Sequence, residues 1–129
     1  MQNFDENELA KIVYEAALKV HKALGPGLLE SSYLTCLAYE VEKSGVRVEV
    51  EKTLPLIYEE VKIDVGYRID MLVGGKLIVE AKSVDGLNKV HMAQILTYLK
   101  LSNLRLGLLI NFNELLLKDG AKRVINGTL

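Results

Sequence analysis

The chain has 129 residues, 50% of them hydrophobic, with one cysteine and a formal net charge of −1. A lone Cys36 makes no internal disulfide, and neither CxxC nor Cys/His zinc spacing occurs, which excludes a disulfide-stapled secreted fold and a zinc module. The opening MQNFDENELA has no basic or apolar leader pattern, and no apolar run reaches the length of a membrane span, so the expectation is a cytoplasmic protein with no membrane segment.

Charge is uneven along the chain. Residues 1–60 carry six Lys/Arg against eleven Asp/Glu, and residues 61–129 carry ten against six. The overall charge does not announce nucleic-acid binding; the basic second half fits a polyanion partner as well as it fits ordinary variation in surface charge. The high apolar content points either to a face buried in a homodimer or to a sheet covered on both sides.

Residues 5–24 are predicted as a helix, from Ile12, Val13, Ala16, Ala17, Val20 and Leu24 at helical spacing. Gly25-Pro26-Gly27 ends it. Residues 28–44 are predicted as a second helix, closed by Gly45, with Glu30, Tyr33, Leu34, Leu37 and Val41 on one stripe. The pattern then alternates with period two. Strands are predicted at 46–58, where Pro55 marks an edge or a bulge, at 62–73 and at 76–82, with Gly74-Gly75 in the turn between the last two. A loop at 83–87 precedes a third helix at 88–102, an apolar strand at 104–110 and a final strand over 121–126. There is no linker or repeat, so 1–129 reads as a single domain. A helix between two strands is the usual way to make a parallel pair. The fold class expected is therefore α/β, a central mixed β-sheet flanked by helices.

The chemistry concentrates in Asp70 and in Val79-Glu80-Ala81-Lys82. Glu80 and Lys82 are two apart in an apolar strand and so share a face. A carboxylate and an ammonium are costly to bury there unless paired or bound to a metal. Whether Asp70 joins them depends on the hairpin. A two-residue turn sets Asp70 opposite Val79 and turns it away from Glu80, whereas a three-residue loop at 74–76 sets Asp70 opposite Glu80 on one face. Two carboxylates and a lysine on one face suit phosphodiester hydrolysis. Hard divalent cations take oxygen ligands and activate water, and a lysine orients the nucleophile and meets developing negative charge. The alternative is a structural ion pair of Lys82 with Glu80 or Asp70.

Glu30, inside an apolar stripe, is expected to point inward to a metal, a base or a proton; otherwise it is a first-turn acid favoured by the helix dipole. On the third helix, Met92, Leu96 and Leu99 fall on one face and His91, Gln94, Ile95, Tyr98 and Ser102 on the other, a row able to line a cleft or to sit in solvent. Lys89 and Lys100 are candidate phosphate contacts. Arg68, in phase with Asp70, is a candidate partner of Asp64, Asp70 or a phosphate. No glycine-rich phosphate loop follows a strand, no GxSxG occurs, and His21 and His91 are too isolated for zinc.

Asp70 followed by Glu80-Ala81-Lys82 resembles the D…(D/E)xK signature of restriction-endonuclease-like nucleases. Gly27-Leu28-Leu29-Glu30-Ser31-Ser32-Tyr33 resembles the motif of the GxxExxY family, a PD-(D/E)xK branch. Residues 66–73, the Gln94–Tyr98 QxxxY, Leu108-Leu109-Ile110-Asn111-Phe112 and Lys118-Asp119-Gly120 extend the resemblance over roughly residues 8–126. Ile69 stands where the signature has proline. The resemblance implies a restriction-endonuclease-like core and a nuclease acting on DNA or RNA. It implies Mg²⁺ or Mn²⁺ held by Asp70, Glu80 and the Ala81 carbonyl, with Glu30 as a further ligand, directly or through water, Lys82 as the catalytic lysine, and Gln94 and Tyr98 supporting the site or touching substrate. The rival expectation is a catalytically silent, homo-oligomeric binding or assembly module on the same scaffold.

Overall fold

The computed structural model describes residues 3–129, apart from the side chains of residues 64–66. Two helices open the chain, α1 (Glu6–Leu24) and α2 (Glu30–Lys43). Asp5 caps α1 reciprocally: its carboxylate accepts from the Glu8 N–H at 2.8 Å, and the Glu8 carboxylate accepts from the Asp5 N–H at 3.0 Å. Strands β1 (Val48–Tyr58), β2 (Val61–Val73) and β3 (Leu77–Lys82) follow. Then come α3 (Lys89–Ser102), β4 (Leu106–Asn111), a short 3-10 turn at Leu117–Gly120 and β5 (Ala121–Ile125). Observed and expected element ends differ by one or two residues, as fraying ends do.

The strands form one sheet in the order β1-β2-β3-β4-β5. Only β3 and β4 run parallel, joined across α3; the other neighbours are antiparallel. The sheet is mixed and covered by helices on both faces, as expected. Pro55 lies in an edge strand where the β1–β2 register shifts between Leu54 and Leu56, satisfying both readings of that proline.

Two apolar layers orient the strands. Leu9, Val13, Ala17 and Val20 of α1 and Tyr33, Leu37 and Val41 of α2 pack on Met71, Val73, Leu77, Val79, Ala81, Leu108 and Ile110. Ile95, Tyr98 and Leu99 of α3 pack on Leu72, Ile78 and Leu109. Odd-numbered β3 residues therefore meet α1 and α2, and even-numbered ones face α3. That parity puts Glu80 and Lys82 on the α3 face.

The β2–β3 hairpin pairs Val73 with Leu77, Leu72 with Ile78 and Met71 with Val79. Its loop is thus three residues, Gly74–Lys76, the register that sets Asp70 opposite Glu80. Gly74 and Gly75 both have positive φ, 59° and 72°. A Cβ on Gly74 would lie 2.9 Å from Leu9 Cδ2, so α1 packs directly on the turn.

Candidate active site

The regular β2–β3 ladder stops at Met71–Val79, and side chains take over where it opens. The Asp70 N–H donates to Glu80 Oε2 at 2.7 Å, and the Ala81 N–H donates to Asp70 Oδ2 at 2.8 Å. Each carboxylate stands in for a main-chain carbonyl of the other strand. The exchange locks both side chains side by side. Their other oxygens, Asp70 Oδ1 and Glu80 Oε1, bond to no described residue. No fully buried side-chain oxygen among the described residues lacks a partner, so these two keep some access to solvent.

Glu80 is 5% exposed. Burial first, and then the neighbouring Asp70 charge, push its carboxyl up to about 7. Asp70 is raised by burial too, against the lowering effect of the Ala81 N–H and of Lys82; Glu30 and Glu51 add to the rise. Two half-dry carboxylates at this spacing attract positive charge.

Lys82 is half-buried on the same face and lowers both carboxyl pKa values through its charge. It makes no ion pair among the described residues, so the structural pairs with Glu80 or Asp70 do not form. Across the parallel pair it faces Asn111.

Glu30 is not inside the apolar stripe. It is the first residue of α2 and is exposed, because the buried face begins only at Tyr33. Its Oε2 accepts from the Ser83 N–H at 3.3 Å, and the Ser83 hydroxyl donates to the Leu28 carbonyl at 2.6 Å. Tyr33, fully buried and stacked on Phe112 with centroids 4.6 Å apart, holds the preceding turn: its hydroxyl donates to the Gly25 carbonyl at 2.6 Å and accepts from the Leu28 N–H at 3.0 Å. Glu30 is close enough to raise both carboxyl pKa values. It does not join them as a third direct ligand: no group of three or more acids, histidines or cysteines able to hold a metal exists among the described residues.

Glu30, Ser31, Glu51, Arg68 and Asp70 line a cleft of about 470 Å³. Arg68 Nη1 pairs with Glu51 Oε2 at 3.0 Å and not with Asp70. The Asp64 side chain lies outside the described residues. Glu51 sits between the Val50–Met71 and Lys52–Ile69 pairs at φ 54°, a backbone region that non-glycine residues rarely adopt.

On α3 the expected division of faces is corrected. Ile95, Tyr98 and Leu99 are buried together. His91 completes the N-terminal cap instead of lining a cleft, its Nδ1 accepting from the Asn88 N–H at 3.1 Å. Ser102 donates to the Tyr98 carbonyl at 2.8 Å. Tyr98 lies near the carboxylates. Burial, followed by the Glu80 and Asp70 charges, raises its hydroxyl pKa, and its ring is tilted against Tyr67 at 6.2 Å. Gln94, one turn earlier, and Lys89, at the start of α3, are exposed.

Sequence reasoning assigned no role to Glu51, Ser83 or Asn111, although Asn111 fell in a segment that carries the resemblance. Asn111 is fully buried; its Oδ1 accepts from Val84 N–H at 3.1 Å and Asn113 N–H at 3.2 Å, and its Nδ2 donates to the Val84 carbonyl at 3.0 Å. It fastens the loop after β3. The signal was an amide ending an otherwise apolar strand.

A helix-flanked mixed sheet whose central hairpin carries two coupled carboxylates and a nearby lysine is a restriction-endonuclease-like layout. The model of the PD-(D/E)XK nuclease superfamily matches residues 7–124, and the chain belongs to that superfamily. No curated protein and no solved structure matches it significantly.

Proposed function

We propose that this chain is a metal-dependent nuclease that hydrolyses phosphodiester bonds of DNA or RNA, working in the cytoplasm as one domain over residues 1–129. The observation that carries the reading is the reciprocal lock between Asp70 and Glu80, which leaves one oxygen of each for a ligand beside an unpaired Lys82. Gly27, Glu30 and Tyr33 also support the narrower GxxExxY assignment, since Tyr33 fixes the turn from which Glu30 projects.

The donor set fits a hard divalent cation. Two carboxylates raised in pKa by burial and by neighbouring acids, Asp70 for Glu80 and Glu30 for both, would regain their charge beside a bound cation. Asp70, Glu80 and the Ala81 carbonyl would hold Mg²⁺ or Mn²⁺, with Glu30 reaching it through water. Such an ion supplies Lewis-acid polarisation of the phosphate and neutralises the carboxylates. Lys82, free of an ion pair, orients the attacking water and meets negative charge as it develops on the phosphate oxygens. Tyr98 and Gln94 sit on the α3 side to contact the substrate backbone. Lys89 and Arg68 provide phosphate contacts, Arg68 by exchanging Glu51 for a phosphate.

The test is Mg²⁺- and Mn²⁺-dependent cleavage of labelled DNA and RNA. Asp70→Ala and Lys82→Ala each lose about 100-fold or more in rate; unchanged activity in either variant defeats the mechanism. A second reading, a silent assembly module, draws on exposed Leu24 and Tyr39 around an apolar cleft of about 370 Å³ between α1 and α2. It requires a stable homodimer in sedimentation whose function survives chelation.

A further inference from the structure

A second groove lies on the α1 side of the sheet, beside the β5 edge. It is about 330 Å³ and is lined by Asn7, Lys11, Tyr14, Lys118 and Arg123 with apolar Ala10, Leu108 and Ala121. The α1 residues are 7, 10, 11 and 14, one helical stripe. Arg123 pairs in register with Leu108, whose side chain packs toward α1, so Arg123 points to the same side.

Three cations from three separate elements converge in this concavity, and no Asp or Glu lines it. None of the three makes an ion pair among the described residues, although Glu8, Glu15 and Asp119 are near in sequence. The neutral residue is turned the same way. Asn7 Oδ1 accepts from Arg123 Nη2 at 2.6 Å, which leaves the Asn7 amide N–H groups as donors. A lining rich in donors, with its one amide acceptor already engaged, suits a phosphate group.

The carboxylate cleft has the opposite character. Glu30, Glu51 and Asp70 line it against Arg68 alone. Without a cation it repels a polyanion, so attraction must come from elsewhere. We infer that the Lys11–Lys118–Arg123 groove is a second binding site, one that holds the phosphate backbone of nucleic acid away from the carboxylates. The inference rests on the nuclease reading for its ligand. The groove lies on the α1 side of the sheet and Glu80 and Lys82 on the α3 side, with β5 the edge strand two places from β3. The groove therefore serves substrates long enough to pass round that edge.

The experiment measures anisotropy of a labelled duplex and a labelled single strand over a range of NaCl concentrations, with chelator present so that no cleavage occurs. The variant carrying Lys11→Gln, Lys118→Gln and Arg123→Gln binds about tenfold or more weaker than wild type, and its salt slope falls by about 2 to 3. Lys22→Gln, outside the groove, binds like wild type. If the triple variant fails to fold by circular dichroism, exposed Lys118→Gln alone carries the test, with a slope loss of about 1. Unchanged affinity and slope overturn the inference and leave the nuclease reading standing. Tight binding of inorganic phosphate that displaces no nucleic acid also overturns it, by naming free phosphate as the ligand. Groove-dependent binding without any metal-dependent cleavage retires the nuclease reading and leaves the groove.

Discussion

In metal-free protein, ionising Glu80 opposes folding, and Glu80→Gln removes that opposition. The Glu80 carboxyl moves from 4.5 to about 7 on folding because burial and the Asp70 charge disfavour its anion. A raised acid binds more protons folded than unfolded. Its favourable contribution is complete below about pH 4.5 and is lost as pH rises through about 7. The shift corresponds to up to about 3 kcal/mol, a large part of a small domain's stability. Glutamine keeps an acceptor for the Asp70 N–H and carries no charge. Urea denaturation in chelator at several pH values between about 5 and 8 is the assay. Wild-type stability falls across that range, while Glu80→Gln falls less steeply, keeping only the contribution of Asp70, which burial also raises, and gains up to about 3 kcal/mol at the upper end, roughly 10 °C in Tm. Glu6 and Glu40 shift the other way and act only at lower pH, outside this window. A flat wild-type profile, or the same slope in the variant, refutes the reasoning.

Tyr33→Phe removes the hydroxyl that joins Gly25 to Leu28 but keeps the ring on Phe112; the expected loss is about 1 to 3 kcal/mol in urea unfolding, with a slower nuclease because Glu30 is less firmly placed. Asn111→Ala strands Val84 and Asn113 main-chain groups and destabilises by roughly 2 to 3 kcal/mol, seen as faster proteolysis within residues 83–88. Gly120→Ala places a Cβ 2.6 Å from the Asn111 carbonyl oxygen and 2.8 Å from Glu114 Cγ, a clash with backbone that lowers stability by about 2 kcal/mol. Gly86→Ala, which meets nothing within 4 Å, is the matched control and leaves stability within about 0.5 kcal/mol.

Much of the architecture was legible because it follows from local rules. Helical spacing marked α1 and α2, Gly25-Pro26-Gly27 marked their junction, and an intervening helix required β3 and β4 to be parallel. Glu80 and Lys82 shared a face by parity alone. For Asp70 the sequence stated only a condition, the length of one loop, and the packing of Leu9 on Gly74 belongs to the answer. Glu30 was misplaced because a stripe on a helical wheel does not show where the buried part of the stripe ends; α2 begins at Glu30, and its core contacts begin one turn later.

Residue types and their spacing thus determined the elements, the mixed sheet flanked by helices and the identity of the acids and the lysine, while the order of strands across the sheet came from the structure. Tertiary structure alone decided their chemical state. Register and burial turned Asp70 and Glu80 into acceptors for each other's strands and raised Glu80 to about 7, Glu51 took Arg68 away from Asp70, and no carboxylate came to rest on Lys82. The reason is that charge and hydrogen-bonding depend on distances between segments far apart in the chain. Local periodicity sets directions within a segment, and only packing sets those distances.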